Sequence, residues 1–251
     1  MKAMVLAAGQ GTRLRPLTDN LPKALVRVAG RPMIDYALLL LRHYGIRDVI
    51  INLHHFGEQI ERHLGDGKDF GLTIIYSNEP ELLDTGGGLL KAKPFLDDGT
   101  FIVINTDALI DLNLADLIAF HKNVNAAATL VLRPDENADR YGSMDIDERD
   151  KICRFLNTKA PNPPSGPARK LMFTGVQILD PSVFSFMDNA VEPRKFGTTK
   201  QTYPRMLAAG EALYGFHFEG FWQDLGTPER IKFVEENLIS GRASLHYLKK
   251  N

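Results

Sequence analysis

Residues Met4-Val5-Leu6-Ala7-Ala8 form a short apolar run that stops at Gly9-Gln10-Gly11, and no other feature narrows the possible folds so far. An apolar stretch of this length, closed by glycines, is the pattern of a buried strand delivering the chain into a loop. The next residues keep that rhythm. Pro32 suits a first helical position, Ile34, Leu38 and Leu41 recur with helical spacing, and Gly45 supplies a stop. Val49-Ile50-Ile51-Asn52-Leu53 reads as a second buried strand, Glu58 to Leu64 as a helix closed by Gly65, and Leu72 to Tyr76 as a third strand. Phe101 to Asn105 is a fourth, ending at Thr106-Asp107. Strand and helix alternate, which predicts an α/β fold of the Rossmann-like kind: a mostly parallel central sheet flanked by helices. Ligands of such sheets bind beyond the carboxyl ends of the strands, where Gly9-Gln10-Gly11, His54-His55 and Asp107 fall.

The second half is less regular. Ala126 to Arg133 and Leu171 to Leu179 read as strands, Asp145 to Arg149 as a solvated turn, and the proline-rich stretch from Asn157 to Lys170 as a loop. With 251 residues, 44% of them apolar, and no linker or repeat, the expectation is a single domain over residues 1–251. A net charge of -1 offers no extended nucleic-acid surface, so any phosphate must be held by local design. The one cysteine, Cys153, has no partner for a disulfide and no activating base nearby; it reads as filler in a reducing compartment. The N-terminal apolar run is too short for a signal peptide, and no run is long enough to span a bilayer. A cytoplasmic protein with no membrane partner is expected.

The segment from Leu6-Ala7-Ala8-Gly9-Gln10-Gly11-Thr12-Arg13-Leu14 to Pro22-Lys23 carries the chemistry. Glycines after a strand let backbone N–H groups approach phosphate oxygens without a Cβ in the way. Arg13 can fork onto two phosphate oxygens, and Lys23 adds a point charge. Two cations converging on a triphosphate suit in-line attack at the α-phosphorus, where charge builds on departing pyrophosphate. A dinucleotide fingerprint fails because its third glycine position holds Leu14, and no phosphate-binding Gly-x-x-x-x-Gly-Lys-Ser/Thr occurs. Asp107, just past an apolar strand, is a candidate Mg²⁺ ligand or a cap for the next segment. Asp224 lies between Phe221-Trp222 and Gly226-Thr227-Pro228, where Thr227 and Pro228 read as the cap and first position of a last helix. His54 and His55 have no third ligand at a useful spacing and read as structural or pocket-lining.

Gly9 to Lys23, with Val28-Ala29-Gly30-Arg31-Pro32-Met33-Ile34 after it and Phe221 to Pro228 near the end, resembles the signature of the sugar-1-phosphate nucleotidyltransferase family. The pattern is most similar to uridylyltransferases for N-acetylmuramate-1-phosphate and guanylyltransferases for mannose-1-phosphate. The resemblance implies that Arg13 and Lys23 are the catalytic cations, and that Asp107 and Asp224 hold Mg²⁺. It implies nucleotide contacts from Leu6, Ala7, Ala8, Gly9, Gly11, Thr12, Asn78, Glu79, Thr85, Gly86 and Gly87, and sugar contacts from Tyr141, Gly142, Thr174 and Gly175. The nucleotide-binding half would run over about 1–125 and the sugar-binding half over about 126–251. Where many relatives have Glu-Lys-Pro, this chain has Lys159-Ala160-Pro161 after Asn157-Thr158, so the glutamate is absent and the sugar undefined. The expected substrates are a nucleoside triphosphate and a sugar-1-phosphate, bound by a monomer or a dimer. Two other readings stay open: a cytidylyltransferase for a phosphorylated amino alcohol, and a silent regulatory homologue that binds nucleotide sugars.

Overall fold

The computed structural model describes residues 1–136, 138, 143–187 and 194–248. In chain order the elements are β1 (Lys2–Leu6), β2 (Arg27–Val28), β3 (Arg31–Pro32), α1 (Met33–His43), β4 (Asp48–Leu53), α2 (Gly57–Leu64), β5 (Thr73–Asn78), α3 (Asp84–Leu96) and β6 (Phe101–Asn105). Then come β7 (Ala108–Ile110), α4 (Leu114–Asn123), β8 (Ala128–Arg133), β9 (Ser143–Ile146), β10 (Ile152–Phe155), β11 (Thr158–Lys159) and β12 (Arg169–Leu179). A short helix α5 (Tyr203–Ala208), β13 (Leu213–His217), β14 (Trp222–Asp224) and α6 (Pro228–Ile239) follow. The α/β class and its mixed sheet, with mostly parallel central strands flanked by helices, agree with the sequence reading. Among the described residues no helix is long and apolar enough to cross a membrane.

The chain forms two compact units. The first comprises Met1–Leu82, Ile104–Leu112 and Gly220–Asn251; the second comprises Leu83–Val103 and Asn113–Glu219. The chain's last thirty-two residues cluster with its first eighty-two.

In the first unit β1, β4 and β5 run parallel, with Leu6 opposite Asn52 and Leu53 opposite Asn78. The interiors of β1 and β4 are apolar on both faces: Met4, Val5, Ile50 and Ile51 are all essentially inaccessible, each contributing about 1.5–3 kcal/mol by leaving water. Helix α1 buries Ile34, Leu38 and Leu41 on its inward face and carries Arg42 and His43 in its last turn, where cations suit the helix dipole. Gly45, at φ 73, closes it. Parallel pairing aligns the carboxyl ends of these strands, so residues 7–11, 54 and 79 leave the sheet at one edge. Thr106 joins them, its N–H and hydroxyl both donating to the carbonyl of Leu6 (3.3 and 2.9 Å).

The second unit is largely antiparallel. β12 pairs with β8 and β9, β9 with β10, and β10 with β11, all antiparallel, while β13 runs parallel to β8. Two sequence expectations change here. The loop from Asn157 to Lys170 is shorter than expected: Thr158–Lys159 add a strand to β10, and Arg169–Lys170 already belong to β12. A two-residue strand cannot show periodicity, so nothing in the sequence marks it. Asp145 to Arg149 is not a solvated turn throughout either. Asp145 lies in β9, and Asp147 is buried, its carboxylate accepting N–H bonds from Arg149, Lys151 and Ser165 (2.9, 3.0 and 3.0 Å).

Candidate functional site

The loop after β1 is anchored at its first residue. Ala7 N–H donates to Asn52 Oδ1 (2.8 Å), the Asn52 amide donates to Glu79 Oε1 (2.7 Å), and Glu79 N–H returns to the carbonyl of Leu53 (2.7 Å). Asn52 and Glu79 are buried, so this chain of bonds ties the ends of β1, β4 and β5 together. Glu79, expected at the nucleotide, is thus engaged as a brace, while Asn78 is exposed and donates to Glu61 (3.2 Å). His54 joins the brace through Nδ1 and the Glu79 carbonyl (2.9 Å), and His55 packs against Phe56 with ring centroids 4.0 Å apart and planes tilted by 42°. Among the described residues neither histidine belongs to a group of three or more His, Cys, Asp or Glu side chains.

Beyond the anchor the two loop glycines differ. Gly11 adopts φ +66, and a Cβ there would lie 2.9 Å from both Lys23 Cβ and Thr18 Cγ2, so any other residue is strained and crowds its neighbours. A Cβ at Gly9 would meet nothing within 4 Å; its space is open for a ligand to approach the backbone. Thr18 closes the turn by donating from Oγ1 to the Gly11 carbonyl (2.8 Å). The 3-10 turn Thr12–Leu14 is pinned by fully buried Leu14, which leaves the Thr12 and Arg13 side chains in solvent.

Lys23 starts a second 3-10 turn, and its side chain is only 11% exposed. Its Nζ donates to Asp107 Oδ2 at 2.7 Å. Asp107 follows β6 and is joined to Asp224 by a short ladder. β14 and β7 pair antiparallel, with Asp224 opposite Ala108, and Leu225 N–H donates to the Asp107 carbonyl (2.8 Å). Asp224 Oδ1 accepts from Gly226 N–H (2.8 Å) and from the Arg230 guanidinium. A Cβ on Gly226 would lie 2.7 Å from Arg13 Nη2, so this glycine admits the Arg13 guanidinium beside Asp224. The fold therefore draws Arg13, Lys23, Asp107 and Asp224 from three separated segments into one unit. A carboxylate just ahead of β7 and another on its partner strand β14 suit Mg²⁺, which is commonly held by one or two carboxylates and completed by phosphate and water. Among the described residues no group of three or more His, Cys, Asp or Glu forms a ready-made cage.

Within the second unit, Asp84-Thr85-Gly86-Gly87-Gly88 opens α3. The close approach that its glycines permit is made by the chain itself. Gly86 and Gly87 N–H groups both donate to the Phe196 carbonyl (2.8 and 3.2 Å), and a Cβ on Gly86 would lie 2.2 Å from the Phe196 ring. Thr85 Oγ1 accepts from Thr198 N–H (3.0 Å). Those two amides are accordingly not open to a ligand. Thr174 is buried and donates from Oγ1 to the Val131 carbonyl (2.9 Å); next to it Gly175 takes φ 91 where the β8–β12 register shifts. Tyr141 and Gly142 lie outside the described residues. Cys153 donates to the Asp145 carbonyl (3.3 Å), and burial together with the nearby acids Asp145 and Asp147 pushes its thiol up, away from a nucleophile's range.

Sequence reasoning missed Asn52, Arg230 and Phe196. Asn52 had a usable signal, a lone amide inside an apolar strand. Arg230 and Phe196 had none, because their partners are six and more than a hundred residues away in the chain.

A family model described as nucleotidyl transferase matches residues 2–240. A UTP–glucose-1-phosphate uridylyltransferase from Synechocystis sp. is 33% identical over 240 residues, 90% of this chain and 60% of that protein. A mannose-1-phosphate guanyltransferase from Yarrowia lipolytica is 37% identical over 233 residues, 91% of this chain and 61% of its own length. The chain thus spans about three-fifths of the length of these curated relatives. A Bacillus anthracis structure assigned as a glucose-1-phosphate thymidylyltransferase in complex with a sucrose has a TM-score of 0.80 over 94% of each chain at 24% identity, which shows a shared fold. With a match from residue 2 to residue 240, and with relatives named for sugar-1-phosphate nucleotidyl transfer, this chain belongs to the nucleotidyl transferase family.

Proposed function

We propose that this chain joins a nucleoside triphosphate to a sugar-1-phosphate, giving a nucleotide sugar and pyrophosphate. The observation that carries the reading is the convergence of Arg13 and Lys23 with Asp107 and Asp224 at the end of a glycine loop. The loop from Leu6 through Ala7, Ala8, Gly9 and Gly11 to Thr12 would receive the phosphates on its backbone N–H groups, the open face at Gly9 admitting them. A phosphate oxygen of the sugar substrate attacks the α-phosphorus while the bond to the bridging oxygen of the leaving pyrophosphate breaks. That nucleophile is already ionised at neutral pH, so no general base is required. Arg13 and Lys23 would neutralise the charge that grows on the leaving group, and fixed positions would supply most of the remaining acceleration. Mg²⁺ held by Asp107 and Asp224 would screen the phosphates during the transfer.

For the nucleoside we propose Asn78 and, through the second lone pair of its carbonyl, Glu79, whose N–H is taken by Leu53. In the second unit Thr85, Gly86 and Gly87 are proposed for the base by packing contact alone, the Gly86 and Gly87 N–H groups being taken by Phe196, and Thr174 and Gly175 with Tyr141 and Gly142 are proposed for the sugar. At Thr174 recognition would use the backbone, since the hydroxyl is already engaged with Val131. The names of the relatives support uridylyl or guanylyl transfer to a hexose-1-phosphate such as mannose-1-phosphate; N-acetylmuramate-1-phosphate as the acceptor and a cytoplasmic location rest on the sequence reading alone.

The test is pyrophosphate release with Mg²⁺ across the common nucleoside triphosphates and a panel of sugar-1-phosphates. Release with one pair, abolished in Arg13→Ala and Asp107→Ala, supports the reading. Tight binding of a nucleotide sugar with no release from any pair replaces it with a regulatory, non-catalytic role.

A further inference from the structure

We infer that Lys23 stands in for the metal at Asp107 until a triphosphate draws it away, so that metal and nucleotide bind as a coupled pair. This rests on the nucleotidyl-transfer reading of the site. The 2.7 Å contact between Lys23 Nζ and Asp107 Oδ2 occupies an oxygen proposed to ligate Mg²⁺, and the lysine side chain is nearly buried while making it. Asp224, the other carboxylate, is held in the same manner by Arg230 and by Gly226 N–H. A divalent ion arriving alone therefore meets two carboxylates already paired with protein cations, and like charges repel it.

The position of the Lys23 stem shows how that pairing can be exchanged. Its Cβ and Cγ lie beneath Gly11, at 2.9 and 3.4 Å from where a Cβ of that residue would stand. The ammonium tip thus projects from directly under the phosphate loop, on a flexible four-carbon stem. Phosphates on the loop offer it a richer partner than one carboxylate, and a small rotation of the tip releases Asp107 Oδ2 for the metal that the same phosphates bring. Arg230 differs, because Gly226 N–H shares its Asp224 oxygen and holds that carboxylate still. We assign Arg230 a positioning role and Lys23 the exchange.

The experiment titrates Mn²⁺, as a paramagnetic probe of free metal, into nucleotide-free protein and into protein with a non-hydrolysable α,β-methylene triphosphate. Parent, Lys23→Met, Lys23→Arg, Asp107→Asn and the Lys23→Met/Asp107→Asn double variant are compared, with circular dichroism to verify folding; Lys23→Gln replaces Lys23→Met if the latter does not fold. Without nucleotide, Lys23→Met is expected to bind Mn²⁺ about tenfold more tightly than the parent, the scale of one nearby unit charge at a partly exposed site. Lys23→Arg keeps the weak parental affinity, and the double variant loses the gain. In the parent the triphosphate analogue tightens Mn²⁺ binding, and that coupling shrinks in Lys23→Met. Equal Mn²⁺ affinity in parent and Lys23→Met, with a loss in Asp107→Asn, overturns the exchange and leaves the metal role of Asp107 standing. Mn²⁺ affinity indifferent to Asp107→Asn, with and without the analogue, overturns the exchange together with the proposed site.

Discussion

Asn52→Ala tests the brace beneath the phosphate loop. The side chain is 3% exposed and serves two partners, accepting from Ala7 N–H at 2.8 Å and donating to Glu79 Oε1 at 2.7 Å. Alanine leaves an N–H donor and a carboxyl oxygen buried without that partner. An orphaned buried donor costs about 1–3 kcal/mol, and a hydrogen bond to a charged group contributes about 1.5–3 kcal/mol. The expected loss is about 3–5 kcal/mol, large against a typical total of about 5–15 kcal/mol. Trp222, the chain's single tryptophan, lies on β14 in the same unit, so urea unfolding followed by its fluorescence reads the stability of that unit. Combining Asn52→Ala with Glu79→Ala completes a cycle whose coupling should exceed about 1.5 kcal/mol, because the double variant no longer strands the Glu79 carboxyl. A loss under about 1 kcal/mol, or a strictly additive cycle, refutes the idea that these bonds hold the strand ends together.

Three further outcomes are expected. Gly11→Ala should destabilise by about 1–3 kcal/mol through its positive φ and the 2.9 Å contacts, whereas Gly9→Ala should leave thermal stability unchanged and weaken triphosphate binding; melting curves and nucleotide titration separate the two. Gly86→Ala should cost about 2–3 kcal/mol by overpacking against Phe196, measured by urea unfolding, and a shift below about 0.5 kcal/mol contradicts that packing. Burial pushes the Asp147 carboxyl up, but N–H bonds from Ser165, Lys151 and Arg149, with the Arg149 charge, outweigh it and hold the group below its ordinary value. Its folded-state pKa is thus depressed, so its contribution is complete above the unfolded value of about 4 and is lost as pH falls through the folded value. Asp147→Asn should lower stability at pH 7 and flatten the acid limb of the stability profile below about pH 4, seen in melting temperature against pH.

Local order determined much of what was read from the chain. β1 ends in glycines because a buried strand must hand over to a loop, and apolar runs of four or five residues announced β4 and β6 within a residue or two. The Thr227-Pro228 start of α6 was legible for the same reason, since caps are written in consecutive residues. Arg13, Lys23, Asp107 and Asp224 could be named individually because the segments around them resemble the family signature. That Lys23 reaches Asp107, and that the pairing of β14 with β7 brings the chain at Asp224 next to the residue before β7, was decided only in three dimensions. These contacts join residues 84 and 117 positions apart, a separation over which no periodicity or propensity acts. The glycines of α3 make the same point. Their cost inside a helix showed that something approaches closely, but only tertiary packing revealed Phe196 as the visitor, because a missing Cβ records a space and not its occupant.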